Sequence, residues 1–218
     1  MRIAIAGGHG KIARHLTRQL SSRGDAVVGI IRNPDHEQDL REDGAEPVVL
    51  DLERASIEEV AQVLRGVDAV VFAAGAGPGS GAERKDTVDR GAAVLLADAA
   101  EAAGVRRYLM VSSMGADAGG QGIEDKVFAA YQEAKKAADE DLMARDLEWT
   151  IVRPGGLSDD PGTGLVHIAR HTGRGSIPRE DVASVLRTVL DDPTTSGLVF
   201  EVISGQQLIA TSLRALRD

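Results

Sequence analysis

The sequence predicts an α/β fold of three layers (α/β/α), a doubly wound parallel sheet with helices on both faces, forming a single domain over residues 1–218 with a small C-terminal extension. Three observations predict it. Short, fully apolar runs alternate with amphipathic segments from the first residue, as expected of parallel strands covered on both faces. The chain has 218 residues, enough for one such domain with a full core and too few for two ordinary ones. Its 25 glycines fall largely where strands would hand over to helices, which suits ligand-binding loops.

The elements follow in order. Ile3-Ala4-Ile5-Ala6 reads as a buried strand, then Gly7-Gly8-His9-Gly10 as a turn and Lys11 to Arg23 as an amphipathic helix. Ala26 to Ile31 is a second strand, and Pro34 stands at the first position of a polar helix reaching about Asp43. Pro47 to Leu50 reads as strand three. Ser56 to Leu64 reads as a helix whose Ser-x-x-Glu start fits a capping box. Ala69 to Ala74 is strand four, followed by a glycine-rich loop to Gly81. A helix from Thr87 to Ala103 should stop at Gly104, a residue free to adopt the left-handed conformation. Arg107 to Ser112 is strand five, Asp125 to Arg145 a long helix, and Trp149 to Arg153 strand six, closed by Pro154-Gly155-Gly156. Residues 162–175 read as a glycine-punctuated loop. A helix over Asp181 to Leu190, a strand over Leu198 to Ile203 and a helix near Gln207 to Leu216 complete the chain.

Composition excludes several function classes. A formal net charge of −9 makes a nucleic-acid or anionic-membrane surface a poor match. There are no cysteines, so disulfides, thiolate chemistry and cysteine-based metal sites are absent. The five histidines show no metal-ligand spacing: His167 and His171 are four apart, but Gly173 and Gly175 interrupt any helix there. No metal is expected. The N-terminal apolar run is too short for a signal peptide, and no stretch approaches the ~20 apolar residues of a membrane span. A cytoplasmic protein is expected, a monomer or homodimer with a small-molecule substrate and no nucleic-acid or membrane partner.

Gly7-x-x-Gly10-x-x-Ala13 lies between a strand and a helix, the context a phosphate-binding fingerprint requires. Gly7 permits the tight turn, Gly10 lets the backbone approach a pyrophosphate, and Ala13 is small enough for close helix–strand packing. The helix start offers unpaired N–H groups and a partial positive charge. Strand two then ends Ile30-Ile31-Arg32-Asn33. An NAD site normally places a carboxylate there for the ribose 2′-hydroxyl, whereas a guanidinium pairs with a 2′-phosphate. NADP(H) is therefore favoured over NAD(H). The competing assignment leaves Arg32 solvated and gives the ribose to Asp35.

Tyr131 and Lys135 stand one helical turn apart on one face. A nearby ammonium stabilises a phenolate and brings a tyrosine towards useful proton transfer. Strand five ends at Ser112-Ser113, on the side where doubly wound sheets bind ligands. Phe128 shares the face of Tyr131 at i, i+3, so packing is a competing role for the tyrosine. Asp89 reads as a dipole partner at a helix start, Trp149 as packing, Arg153 as a partner for a carboxylate, and Asp159-Asp160 as a turn.

The chain resembles the short-chain dehydrogenase/reductase superfamily. The likeness is to its atypical NAD(P)-binding Rossmann branch, related to NmrA-like proteins and NAD-dependent epimerase/dehydratases. It spans essentially the whole chain. It rests on residues 7–13, Arg-Asn-Pro at 32–34, Asp51-Leu52, Ala73-Ala74-Gly75, Val-Ser-Ser-Met at 111–114, Tyr-x-x-x-Lys at 131–135, Arg-Pro-Gly at 153–155 and Arg-Glu-Asp-Val-Ala at 179–183.

The resemblance implies cofactor contact from Gly7, Gly8, His9, Gly10, Lys11 and Ile12, and from Arg32 and Asn33. It puts Asp51 and Leu52 beside the adenine, and Ala73, Ala74 and Gly75 on the adenosine ribose side. Pro154 and Gly155 would contact the nicotinamide end, and Val111 and Ser112 would also bind the cofactor. Tyr131 would be the acid/base, Lys135 would hold the nicotinamide ribose and depress the tyrosine pKa, and Ser113, in preference to Ser112, would bind the substrate oxygen.

The implied activity is an NADP(H)-dependent oxidoreductase acting on a small carbonyl, alcohol or quinone-like substrate. The alternatives are a non-catalytic NADP(H)-sensing regulator, as some NmrA-like proteins are, and an epimerase or isomerase of the sugar-nucleotide type. Two departures from the pattern bear on these. Only about 65 residues follow strand six, leaving little protein to cover a nucleotide sugar, and position 9 is His where related proteins often have Thr.

Overall fold

In a computed structural model that describes residues 1–77 and 79–216, alternating strands and helices build one nine-stranded sheet in the order β11-β8-β10-β6-β5-β4-β1-β2-β3. The first half comprises β1 (Arg2–Ala6), α1 (Lys11–Ser22), β2 (Ala26–Ile31), α2 (Glu37–Glu42), β3 (Ala45–Val49), α3 (Ile57–Val63) and β4 (Ala69–Phe72). After the glycine-rich loop come α4 (Ala82–Arg84), a π-helical segment (Lys85–Gly91), α5 (Ala92–Ala103), β5 (Arg107–Val111), α6 (Lys126–Met143) and β6 (Glu148–Pro154). The remainder is β7 (Gly156–Ser158), β8 (Leu165–Ala169), β9 (Ser176–Pro178), α7 (Arg179–Asp191), β10 (Leu198–Ser204), β11 (Gln207–Leu208) and α8 (Ile209–Ala215).

Period-two alternation along the strands divides the core into two halves. Ile3 and Ile5 point to the face covered by α1, α7 and α8, where Leu16, Leu20, Leu186 and Leu213 meet them. Ala4 and Ala6 point to the opposite face, against Val60, Leu64, Leu96, Ala100 and Leu142 of α3, α5 and α6. Trp149 packs half-buried against this second cluster.

The chain winds outward from β1 through β2 to β3, then returns to place β4 on the other side of β1. That reversal opens a crevice at the carboxyl ends of β1 and β4, where open α/β sheets bind ligands.

Several local signals form as the sequence predicts. Ser56 and Glu59 make the reciprocal capping box of α3. Gly104 closes α5 at φ 73°, and Asp125 caps α6 by accepting from Val127 and Phe128 N–H.

Other expectations are corrected. Residues 162–175 are not simply a loop, because β8 lies within them and pairs antiparallel with β10. β11 pairs antiparallel with β8 in turn, so the sheet is mostly rather than wholly parallel, and residues 207–208 extend it before α8 begins. Strand three starts earlier, at Ala45, and tolerates Pro47 because β3 is the sheet edge. The helix expected from Thr87 begins at Ala82 and passes through the π-helical segment, so Asp89 lies inside it and not at its start. Among the described residues no helix is long and apolar enough to cross a membrane.

Candidate nucleotide site and active site

The β1–α1 turn is built by contacts that only glycine allows. Gly7 adopts φ +77°, and a Cβ there would stand 2.6 Å from Ala74 Cα. The Gly8 N–H donates to the Ile30 carbonyl at 3.0 Å and the Gly10 N–H to that of Gly7 at 2.8 Å, setting Gly10 as the cap of α1. The first N–H groups of α1 are thereby presented without intrahelical partners.

This turn forms one wall of a cavity of about 340 Å³, a volume within the range of small-molecule sites. Of the expected cofactor residues, Gly7, His9, Gly10, Arg32, Asn33, Asp51, Leu52, Ala73, Ala74 and Gly75 line it. Gly8, Lys11, Ile12, Val111, Ser112, Tyr131, Lys135, Pro154 and Gly155 do not. The Ile12 side chain packs towards the core, and the Lys11 ammonium is hydrogen-bonded to Asp159, which also pairs with Arg179 at 2.6 Å. Asp159 is thus part of a charge cluster and not merely a turn residue. Lys11 lowers its pKa first and Arg179 adds to the effect. Asp35, the competing ribose partner, is exposed and outside the cavity lining.

The sequence did not reveal the other half of this wall. The Glu53 carboxylate accepts from Arg32 at 2.7 Å, Arg84 at 2.9 Å and the Thr87 hydroxyl at 2.7 Å. Burial works against ionisation of Glu53, but Thr87, Arg84 and Arg32 outweigh it and hold the carboxyl below the usual range. His36 also lines the cavity, stacked on His9 with ring centroids 3.6 Å apart. The His9 Nε2 meets Asp39 at 2.6 Å. Asn33 turns its side chain inward on the local chain, accepting from the Asp35 N–H.

At the carboxyl ends of β5 and β6 the hydroxyl and amine residues take distinct environments. Ser112 is buried and donates to Asp139 Oδ2 at 2.8 Å. Arg153 grips the same oxygen at 2.9 Å and reaches Asp117 at 3.4 Å, so it does pair with carboxylates. Burial nevertheless raises the Asp139 pKa, more than Arg153 lowers it. Ser113 is only half-buried and accepts from Gln132 Nε2 at 3.3 Å. Gly155 has a packing reason of its own, since a Cβ there would lie 2.4 Å from the Gly175 carbonyl oxygen.

Tyr131 is half-buried and stacks on Phe128 with centroids 5.9 Å apart. Two ammonium groups lie over its ring, Lys85 at 5.3 Å from the centroid and Lys135 at 5.8 Å. Lys135 is almost wholly buried, donates to the Val111 carbonyl at 3.2 Å and pairs with Asp89 at 3.3 Å. Asp89 also accepts from the Ala76 N–H, so its role is this pair and not a helix dipole.

Near the same strand ends, ligand atoms of Asp117, His171 and Glu201 lie within 4.8 Å of one another, a grouping the histidine spacing did not suggest. Its carboxylates are already engaged: Arg153 holds Asp117, and Glu201 accepts from the Thr172 N–H at 2.8 Å and the Gly115 N–H at 3.3 Å.

The likeness to known proteins runs along nearly the whole chain. The NAD(P)H-binding family matches residues 7–193. The uncharacterized sugar epimerase YhfK of Bacillus subtilis is 35% identical over 217 residues, 99% of this chain and 100% of its own length. Among solved structures, a Bacillus halodurans protein, provisionally described as an NAD-dependent epimerase/dehydratase, superposes with a TM-score of 0.92 at 38% identity, covering 99% of this chain and 100% of its own. The oxidoreductase ylbE of Lactococcus lactis gives 0.86 at 28% identity, over 100% and 97% of the two chains.

Proposed function

The chain belongs to the NAD(P)H-binding family of Rossmann-fold proteins, and on that premise we propose that it is an NADP(H)-dependent oxidoreductase acting on a small carbonyl, alcohol or quinone-like substrate. The observation that carries this reading is the single cavity joining the Gly7–Gly10 turn to the Arg32 guanidinium, with Asp35 outside it. The turn, narrowed until only glycine fits beside Ala74, and the unpaired N–H groups of α1 suit a pyrophosphate. Arg32 suits a 2′-phosphate, and His36 adds an imidazole on the same wall. When bound, the nicotinamide supplies or accepts the hydride.

The chain's own residues handle the proton. Tyr131 is the acid/base, its ring flanked by the ammonium groups of Lys85 and Lys135. Ser113 binds the substrate oxygen, since the Ser112 hydroxyl is already spent on Asp139. The reading further places the protein in the cytoplasm as a monomer or homodimer.

The test is calorimetric titration with NADPH and NADH, with Arg32→Ala in parallel, followed by NADPH-oxidation assays over carbonyls and quinones with Tyr131→Phe. NADPH preference erased by Arg32→Ala, and turnover lost about 100-fold or more in Tyr131→Phe with NADPH binding intact, are the expected results. Equal binding of both nucleotides removes the 2′-phosphate assignment, and unchanged turnover removes Tyr131.

One observation favours a second reading, an NADP(H)-sensing regulator without turnover: Lys135 is committed to Asp89. A partner that binds only one nucleotide state would support that reading. The epimerase named for a relative would be marked by tightly held nucleotide and no net oxidation or reduction of product.

A further inference from the structure

Two arginines converge on one carboxylate oxygen beside the nucleotide cavity. Arg32 follows β2, and Arg84 ends α4, beyond β4 and the glycine-rich loop. In the sheet β1 separates those two strands. The Arg32 Nη1 donates to Glu53 Oε2 at 2.7 Å, and the Arg84 Nη2 donates to the same oxygen at 2.9 Å. The Thr87 hydroxyl donates to Glu53 Oε1 at 2.7 Å, so both carboxylate oxygens are held.

Glu53 does not answer both cations. One negative charge faces two guanidiniums, and among the described residues neither arginine has another ion-pair or hydrogen-bond partner. A guanidinium carries five N–H donors in a fixed plane, so most of those on Arg32 and Arg84 are uncommitted. The surplus charge has a definite place. A hollow lined by Arg32, Asp51, Glu53, Arg54, Arg84 and Thr87 adjoins the cavity of the Gly7–Gly10 turn, and Arg32, Asp51, Glu53 and Arg84 line both. Three arginines stand there against two carboxylates, in a chain whose net charge is −9.

We propose that Arg84 is a second specificity-determining cation for the nucleotide 2′-phosphate, reaching it from beyond β4 while Arg32 holds it from the end of β2. The proposal rests on the reading of the cavity as an NADP(H) site and adds a residue to that site. A phosphomonoester brings close to two negative charges and three acceptor oxygens, enough to engage two guanidiniums at once. The 2′-hydroxyl of NADH brings no charge and draws little from either. Glu53 has two effects here. By gathering both guanidiniums at one oxygen it keeps them near enough for one phosphate to span, and from the same position it competes for them.

The experiment is calorimetric titration of the full chain with two pairs of probes, NADPH against NADH and adenosine 2′,5′-bisphosphate against adenosine 5′-monophosphate. Within each pair the probes differ by the 2′-phosphate alone. The Arg32 and Arg84 side chains are 54% and 40% exposed, so salt screens them and every titration is run at one ionic strength. Arg84→Gln should weaken NADPH and the bisphosphate about tenfold and leave NADH and the monophosphate unchanged. Circular dichroism melts check that each variant is folded.

The same substitution is repeated in Glu53→Gln, because removing Arg84 from the wild type leaves Glu53 freer to hold Arg32. A tenfold loss that persists there shows that Arg84 meets the phosphate itself. A loss that vanishes there, unchanged NADPH affinity in Arg84→Gln, or an equal loss for NADH overturns the proposal. Failure of the NADP(H) reading looks different: the wild type would then bind NADPH and NADH alike. A preference erased by Arg32→Ala but untouched by Arg84→Gln removes Arg84 alone.

Discussion

Lys135 and Asp89 form an ion pair of 3.3 Å beneath the candidate active site, with side-chain exposures of 4% and 0%. Removing one partner of such a pair leaves a buried charge unanswered, a cost of about 3–5 kcal/mol. Asp89→Asn should therefore lower the melting temperature by on the order of 10 °C. The double variant with Lys135→Met should recover most of that loss. Thermal denaturation of the three proteins checks it, and equal losses in single and double variants would show that the pair is not a unit.

The adjacent serines should separate stability from turnover. Ser112→Ala deletes the hydroxyl that satisfies buried Asp139 and should cost about 1–3 kcal/mol of stability. Ser113→Ala should leave the melting temperature within about 2 °C while cutting turnover about tenfold or more. Melts and steady-state rates on both variants decide it, and the reverse pattern would reassign the substrate oxygen to Ser112.

Gly7→Ala meets two obstacles at once, a backbone at φ +77° and a Cβ 2.6 Å from Ala74 Cα. The turn must open to admit it, so NADPH affinity should fall at least about tenfold. Calorimetry on the folded variant reads this directly; wild-type affinity would place the pyrophosphate elsewhere.

Glu53 competes with any phosphate for Arg32. Glu53→Gln should tighten NADPH binding by about three- to tenfold and leave NADH unchanged. The same carboxyl is held below the usual range. Its contribution to stability is therefore present above the unfolded glutamate value of about 4.3 and lost as pH falls through the lower folded value. Glu53→Gln should flatten that part of the acid limb, which denaturation midpoints between about pH 5 and pH 3 would register.

Much of the frame was legible because its signals are local. The capping box of Ser56 and Glu59, the left-handed Gly104 and the Asp125 cap each close hydrogen bonds within a few residues. The Gly7–Gly10 turn between strand and helix is equally local, and seven further expected cofactor residues, after β2, β3 and β4, line the same cavity. Sequence also placed Tyr131 and Lys135 on one face, since helical spacing alone requires it.

Sequence by itself thus determined the α/β alternation, the nucleotide turn and the identity of the polar residues near the strand ends. Only the tertiary structure decided how those residues are shared. Strand β8 needed β10, far along the chain, before Val166 and Ile168 could be recognised as its inward side. Glu53 reached Arg32 and Arg84 because the sheet reverses at β1 and brings the ends of three segments together. Lys135 meets Asp89 because α6 packs against the π-helical segment. Caps and turns are fixed by neighbours in the chain, whereas ion pairs and the fields they cancel depend on which distant segments the fold packs side by side.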